Sequence, residues 1–177
     1  AILRCFEQLE KEGFQVDYIP VDAEGNLDLE FAQKVIGNQT ILVSVMLVNN
    51  ELGTLFPVKE IRSIMDRAGC PGYLHTDCVQ AYGKIPFTPK SLGADLLTIS
   101  SHKIHGPKGA GALYIKKGVR ILPTVYGGGQ EKGLRSGTEN TYALCGFGAA
   151  ATETFRLMPK ESPRLQALRD ETARRIL

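Results

Sequence analysis

Thr40-Ile41-Leu42-Val43-Ser44-Val45-Met46-Leu47-Val48 is apolar almost without interruption, and it is rich in β-branched residues. It does not alternate, as a strand with one wet face would. Such a run predicts a strand covered on both faces, the usual condition in a parallel sheet. It ends in Asn49-Asn50-Glu51-Leu52-Gly53, a polar turn at the strand's carboxyl end. Pro57 then opens a helix with Val58, Ile61, Ile64, Met65 and Ala68 on one face and Gly69 at its close. Gly72 to Val79, Leu96 to Ile99 and Ala112 to Ile115 read as further strands. Strands interleaved with helices predict an α/β fold, a three-layer α/β/α sandwich with a mainly parallel sheet.

Toward the amino end, Ile2, Cys5, Phe6 and Leu9 recur at helical spacing, and Gly13 ends that helix. Phe14 to Val21 alternates and predicts a half-buried strand, followed by a turn over Asp22-Ala23-Glu24-Gly25-Asn26. Asp28 caps a short helix running to Ile36. Toward the carboxyl end, Gly118 to Val125 suggests a short strand broken by Pro123, and Tyr126 to Asn140 is a glycine-rich loop. Thr141 to Leu157 reads as a buried helix; Pro159 and Pro163 break the chain, and a charged helix follows from Arg164.

Composition bounds the function. The 177 residues are 43% hydrophobic and 23% charged, with a net charge of +2, as in an ordinary globular domain. No basic stripe with interleaved aromatics points to nucleic acid, and no apolar run has the length of a membrane span. The 4 cysteines (Cys5, Cys70, Cys78, Cys145) lack framework density and paired spacing, which predicts a reducing, cytoplasmic setting. The chain opens on Ala1 in mid-helix pattern, as a fragment of a longer protein would.

In an open α/β sheet, ligands sit outside the carboxyl ends of the strands. Asn50, Asp77 and Lys103 all fall there. Lys103 follows the strand at Leu96 in Ser100-Ser101-His102-Lys103-Ile104-His105-Gly106-Pro107-Lys108-Gly109, a turn bent by glycine and stiffened by Pro107. A lysine there can lose solvent and act as an amine nucleophile toward a carbonyl, although most loop lysines are only surface residues. Asp77 late in a strand can pair with an arginine or cap a helix. It can also face a protonated heteroaromatic nitrogen. Pyridoxal phosphate requires a lysine for its aldehyde and an acid for its pyridine nitrogen, and Lys103 with Asp77 would meet both needs. Ser100 and His102 add donors suited to a phosphate.

Four motifs carry a resemblance: Val48-Asn49-Asn50-Glu51-Leu52-Gly53, His75-Thr76-Asp77-Cys78-Val79-Gln80-Ala81, Ser101-His102-Lys103-Ile104-His105-Gly106-Pro107-Lys108-Gly109, and Gly127 through Asn140 with Gly133-Leu134-Arg135-Ser136-Gly137-Thr138 at its centre. In this order they resemble cysteine desulfurases of the NifS/IscS type, within the class V aminotransferase group and its fold-type I architecture. The resemblance runs from Ala1 to about Phe155. It implies that Lys103 holds pyridoxal 5'-phosphate and moves protons, that Asp77 pairs with the ring nitrogen, and that Gln80 bonds the phenolic oxygen, with Asn50 nearby. It implies phosphate contacts from Ser100 and His102, and from Thr138 to the neighbouring subunit's phosphate in a homodimer; Arg135 positions its loop. L-cysteine would be the substrate, and a sulfur acceptor or iron–sulfur scaffold protein the partner, with no metal, nucleic acid or membrane. Residues 1–158 would be part of the large cofactor-binding domain, and 159–177 the start of a helix toward a small domain. The ring-stacking histidine and first phosphate loop would precede Ala1. The catalytic cysteine and the substrate-carboxylate arginine would follow Leu177, so this segment alone is expected to release no sulfide. Cys78 and Cys145 read as packing residues.

Rival readings have less behind them. Cys70, His75 and Cys78 lack a fourth ligand and regular spacing for structural zinc. Neither Gly106 to Gly111 nor Gly127 to Gly133 matches a nucleotide fingerprint. Selenocysteine lyase shares the motifs, although the glycine-rich runs resemble the NifS/IscS pattern more closely. A non-catalytic scaffold of the same fold is the reading from another class.

Overall fold

A computed structural model describes residues 2–176. Helix α1 (Ile2–Lys11) leads to α2 (Leu29–Val35), which Asp28 caps by accepting the Phe31 amide at 2.8 Å. Strand β1 (Leu42–Met46), helix α3 (Val58–Arg67) and strand β2 (Tyr73–Asp77) follow, then the short α4 (Pro89–Leu92) and β3 (Leu96–Ser100). A 3-10 turn over Ser101–Ile104 connects β3 to β4 (Gly111–Ile115), and α5 (Thr141–Ile176) completes the order.

The four-stranded sheet runs β1-β2-β3-β4, parallel across the first three strands and antiparallel at β4. This is the expected α/β architecture with a mainly parallel sheet. Val43, Val45, Leu74, Thr76 and Leu97 point to one face, where Val58, Ile61, Ile64 and Met65 of α3 and Ala32 of α2 cover them. Ile61 and Met65 are fully buried; sealing each contributes about 2 kcal/mol. At the amino ends of the strands, Asp95 is buried and binds the Leu74 amide, the Arg62 guanidinium and the Lys116 ammonium at 2.9–3.2 Å. One carboxylate thus joins β2, α3 and the chain after β4.

Several expectations are corrected. Strand β1 is buried only at alternate positions, because α2 and α3 cover one face and leave Ser44 and Met46 half-buried on the other. Phe14 to Val21 joins no sheet among the described residues: the Phe14 amide bonds back to Leu9, Pro20 accepts from Asp28, only Val21 forms a single bridge, to Leu27, and Phe14 and Tyr18 stay exposed. Gly118 to Val125 contributes one isolated bridge, Val125 to Arg135, in place of a strand.

The largest correction lies in α5, which runs unbroken through Pro159 and Pro163. Each proline removes one i→i−4 bond. Spaced four apart, the two deprive the Phe155 and Pro159 carbonyls of their usual amide donors along one exposed strip that is open to solvent. The helix is also far from buried. Only Ala143 and Phe147 are enclosed, while Tyr142, Leu144 and Cys145 face outward. Cys145 is therefore no packing residue. Among the described residues no helix is long and apolar enough to cross a membrane.

Candidate functional site

Parallel pairing brings the carboxyl ends of β1, β2 and β3 together, and Asp77, Asn50 and the Ser100–Lys103 segment lie at or just past those ends. Asp77 ends β2 opposite Met46 and Thr98. It is half-buried; its Oδ1 accepts the Val79 amide at 2.9 Å, and among the described residues no hydrogen bond is seen to Oδ2. A carboxylate held by one oxygen and open at the other can receive a cationic donor.

The Asp77 charge acts along its own strand. His75, two residues back on the same face, lies between Ser44 Oγ (2.8 Å from Nδ1) and Thr98 Oγ1 (3.3 Å from Nε2). Burial pushes its imidazole below the ordinary range, and Asp77 only partly opposes this. Cys78 points into the core, and burial raises its thiol to about 12, with Asp77 adding to the rise. Such a thiol is inert. Cys70 and Cys78 lie beyond opposite ends of β2, and Cys70 Sγ contacts the Thr40 carbonyl. They cannot share a metal.

Lys103 sits in the 3-10 turn directly after β3. Ser101 and Ile104 fill the buried side of that turn, while His102 and Lys103 face out. His105 closes it in the left-handed region at φ 67°. In this chain Lys103 is exposed, and no ion pair joins it to Asp77 among the described residues. The turn inserts only Ser101 and Ile104 into the core and leaves the lysine on its outer edge. Ser100 Oγ lies 2.7 Å from His102 Nδ1, so the hydroxyl and imidazole expected to act together do meet. Ser101 Oγ is buried and finds no hydrogen-bond partner among the described residues.

Asn50 and Asn49 divide their work in the turn after β1. Asn49 Oδ1 accepts the Glu51 and Leu52 amides at 2.8 Å each, which builds the turn and leaves Asn50 exposed. Thr138 is exposed on the glycine-rich loop and makes no side-chain bond to the cluster. Arg135 donates to the Ser136 carbonyl at 2.7 Å and so shapes that loop.

Sequence reasoning missed Lys84. Its ammonium donates to Gln80 Oε1 at 3.1 Å, and burial together with the Lys103 charge lowers its proton affinity. The i,i+4 spacing of Gln80 and Lys84 was the available signal. Gly83, at φ +73°, lets this segment pass against α5: a Cβ there would lie 2.3 Å from Thr154 Cγ2 and 3.0 Å from Ile104 Cγ2. A similar approach at Gly146, where a Cβ would lie 2.6 Å from Pro107 Cγ, explains a glycine inside α5.

The donor set fits a cofactor with a basic ring nitrogen, a carbonyl and a phosphate. It offers an open carboxylate oxygen, an amide, an exposed amine and a hydroxyl–imidazole pair around one sheet edge.

The profile of the aminotransferase class-V family matches residues 1–165. Cysteine desulfurase IscS 1 of Archaeoglobus fulgidus is 47% identical over 177 residues, all of this chain and 46% of that protein. Cysteine desulfurase NifS of Azotobacter vinelandii is 42% identical, again across the whole chain and 44% of the relative. Among solved structures, a NifS-like protein superposes with a TM-score of 0.93 at 40% identity, covering 96% of this chain and 47% of that one. SspA in complex with cysteine gives a TM-score of 0.79 at 36% identity, covering 85% of this chain and 44% of that one. The chain spans less than half the length of these relatives.

Proposed function

We propose a function on one premise: the chain belongs to the aminotransferase class-V family. The protein containing it is a pyridoxal-phosphate-dependent cysteine desulfurase. It converts L-cysteine to L-alanine and leaves persulfide sulfur on the enzyme for iron–sulfur or thio-cofactor assembly. The observation that carries this reading is the shared carboxyl edge of β2 and β3, with Asp77 and the Lys103 turn side by side where α/β sheets bind ligands. Relatives named as cysteine desulfurases, and a neighbour solved with cysteine, support the substrate.

Pyridoxal phosphate, when bound, supplies an electron sink for the substrate's alpha carbon. The rest is the work of this chain's side chains. Lys103 Nζ would hold the aldehyde carbon and, once the substrate's amine has displaced it there, would be free to take and return a proton at the alpha carbon. Asp77 keeps the ring nitrogen protonated. Gln80 donates to the phenolic oxygen, with Asn50 beside it. Ser100 and His102 bind the phosphate. Thr138 reaches the phosphate of a second subunit, which makes the enzyme a homodimer with shared sites. The sulfur-accepting thiolate belongs to none of this chain's 4 cysteines. Residues 1–158 form part of the large domain, and 159–177 lead toward a smaller one. A sulfur acceptor or scaffold protein receives the product sulfur, in a reducing, cytoplasmic setting consistent with the cysteine spacing.

The test uses the full-length protein. Borohydride reduction followed by peptide mass mapping should place the cofactor on Lys103, and Lys103→Ala should lose both the yellow absorbance and sulfide release from cysteine. Cofactor fixed to another lysine, or sulfide release kept by the variant, would overturn the assignment.

A further inference from the structure

Lys84 is not among the residues assigned above to cofactor or substrate, yet its side chain is tied to one of them. After β2 the chain turns through Val79 to Lys84, with Lys84 N bonded to the Ala81 carbonyl, so that residues 80 and 84 share one side. Lys84 is anchored on both flanks. The Ser162 hydroxyl donates to its carbonyl at 2.7 Å, and Gly83 before it is wedged in the left-handed region against Thr154 and Ile104. From that fixed base the amine reaches Gln80 Oε1 at 3.1 Å.

We infer that Lys84 is a positioning residue: its ammonium fixes the Gln80 side-chain amide so that Nε2, and not Oε1, is presented to the ligand. An ammonium offers three donors and no acceptor. Turning the amide over would set its NH2 against the ammonium, donor against donor, and lose a charge-assisted bond. The Gln80 oxygen is therefore committed. The ligand atom that Gln80 meets has to be an acceptor, such as an ionised phenolic oxygen, and a hydroxyl that donates is disfavoured. Lys84 is exposed overall, yet partial loss of water around its ammonium and the Lys103 charge lower its proton affinity, which places it within the electrostatic reach of the reacting amine. The inference rests on the reading of Gln80 as a contact of the cofactor's phenolic oxygen.

A double-mutant cycle on the full-length holoenzyme tests it, reading the cofactor dissociation constant and the pH midpoint of the bound cofactor's visible absorbance. Lys84→Met should weaken cofactor binding by roughly three- to tenfold, the worth of one net hydrogen bond, and displace the midpoint. Gln80→Leu should do the same. The double variant should match Gln80→Leu alone, and Lys84→Arg, which keeps charge and donors, should stay close to the parent. If the two single effects multiply in the double variant, or if Gln80→Leu weakens binding while Lys84→Met changes neither readout, Lys84 does not act through Gln80 and the inference fails alone. If Gln80→Leu changes neither readout, the Gln80 assignment fails and takes this inference with it.

Discussion

Replacing Gly83 by alanine tests how tightly the Lys103 turn is clamped to α5. Two costs add. The residue sits at φ +73°, where a Cβ costs about 1 kcal/mol against the backbone. That Cβ would also lie 2.3 Å from Thr154 Cγ2 and 3.0 Å from Ile104 Cγ2, and overpacking of this kind costs about 1–3 kcal/mol. The sum is a loss of about 2–4 kcal/mol, read as a lower urea midpoint at unchanged m value. The Thr154→Ser background separates the two. Serine removes the offending methyl and keeps a hydroxyl able to bond the Ile104 carbonyl, which Thr154 Oγ1 reaches at 3.4 Å. In that background Gly83→Ala should cost less, about 1 kcal/mol for the backbone plus the remainder set by the 3.0 Å approach to Ile104 Cγ2. An equal loss in both backgrounds, or none in either, would refute the close approach of α5 to this turn.

Two further outcomes follow from the buried side chains. His75 has a folded-state pKa below the ordinary 6.5 because burial disfavours its charged form. The unfolded chain therefore binds the proton more readily, and the stability from neutral His75 is present above 6.5 and lost as pH falls below it. Urea midpoints should drop on acidification, by at most about 1.4 kcal/mol per pH unit from this group, and His75→Gln should flatten that segment of the curve; an unchanged slope would remove His75 as its source. At pH 8 a maleimide should modify exposed Cys145 in the isolated chain and leave Cys78, with its thiol pushed up to about 12, untouched until urea is added. Modification of Cys78 in the native protein would contradict its placement in the core.

The central strands and their ends were legible because they depend on local pattern. The apolar run at Thr40, the cap at Asp28, the apolar face of α3 and the turn after β3 each carry their own signal. What escaped depends on neighbours distant in sequence. Phe14 to Val21 alternates correctly, but a strand needs partners along its length, and among the described residues only its last residue has a bridge, Val21 to Leu27. Pro159 and Pro163 read as breakers because each costs a bond, yet their shared exposed strip makes both losses tolerable. Within the site, residue types revealed Asp77, Lys103 and the Ser100–His102 pair. The Lys84 bond to Gln80 could not be read from residue type, because an i,i+4 pair meets only if the chain turns helically after β2.

Helix α5 touches the loops of the site at intervals along its length: Gly146 against Pro107, Ala150 against Gly106, Thr154 against Ile104 and Gly83, and Ser162 onto the Lys84 carbonyl. A stiff rod riveted at several stations along its shaft transmits torque. The four contacts give these loops one common backing, so the Lys103 turn, the Gly83 bend and the Lys84 carbonyl are all seated on the same helix.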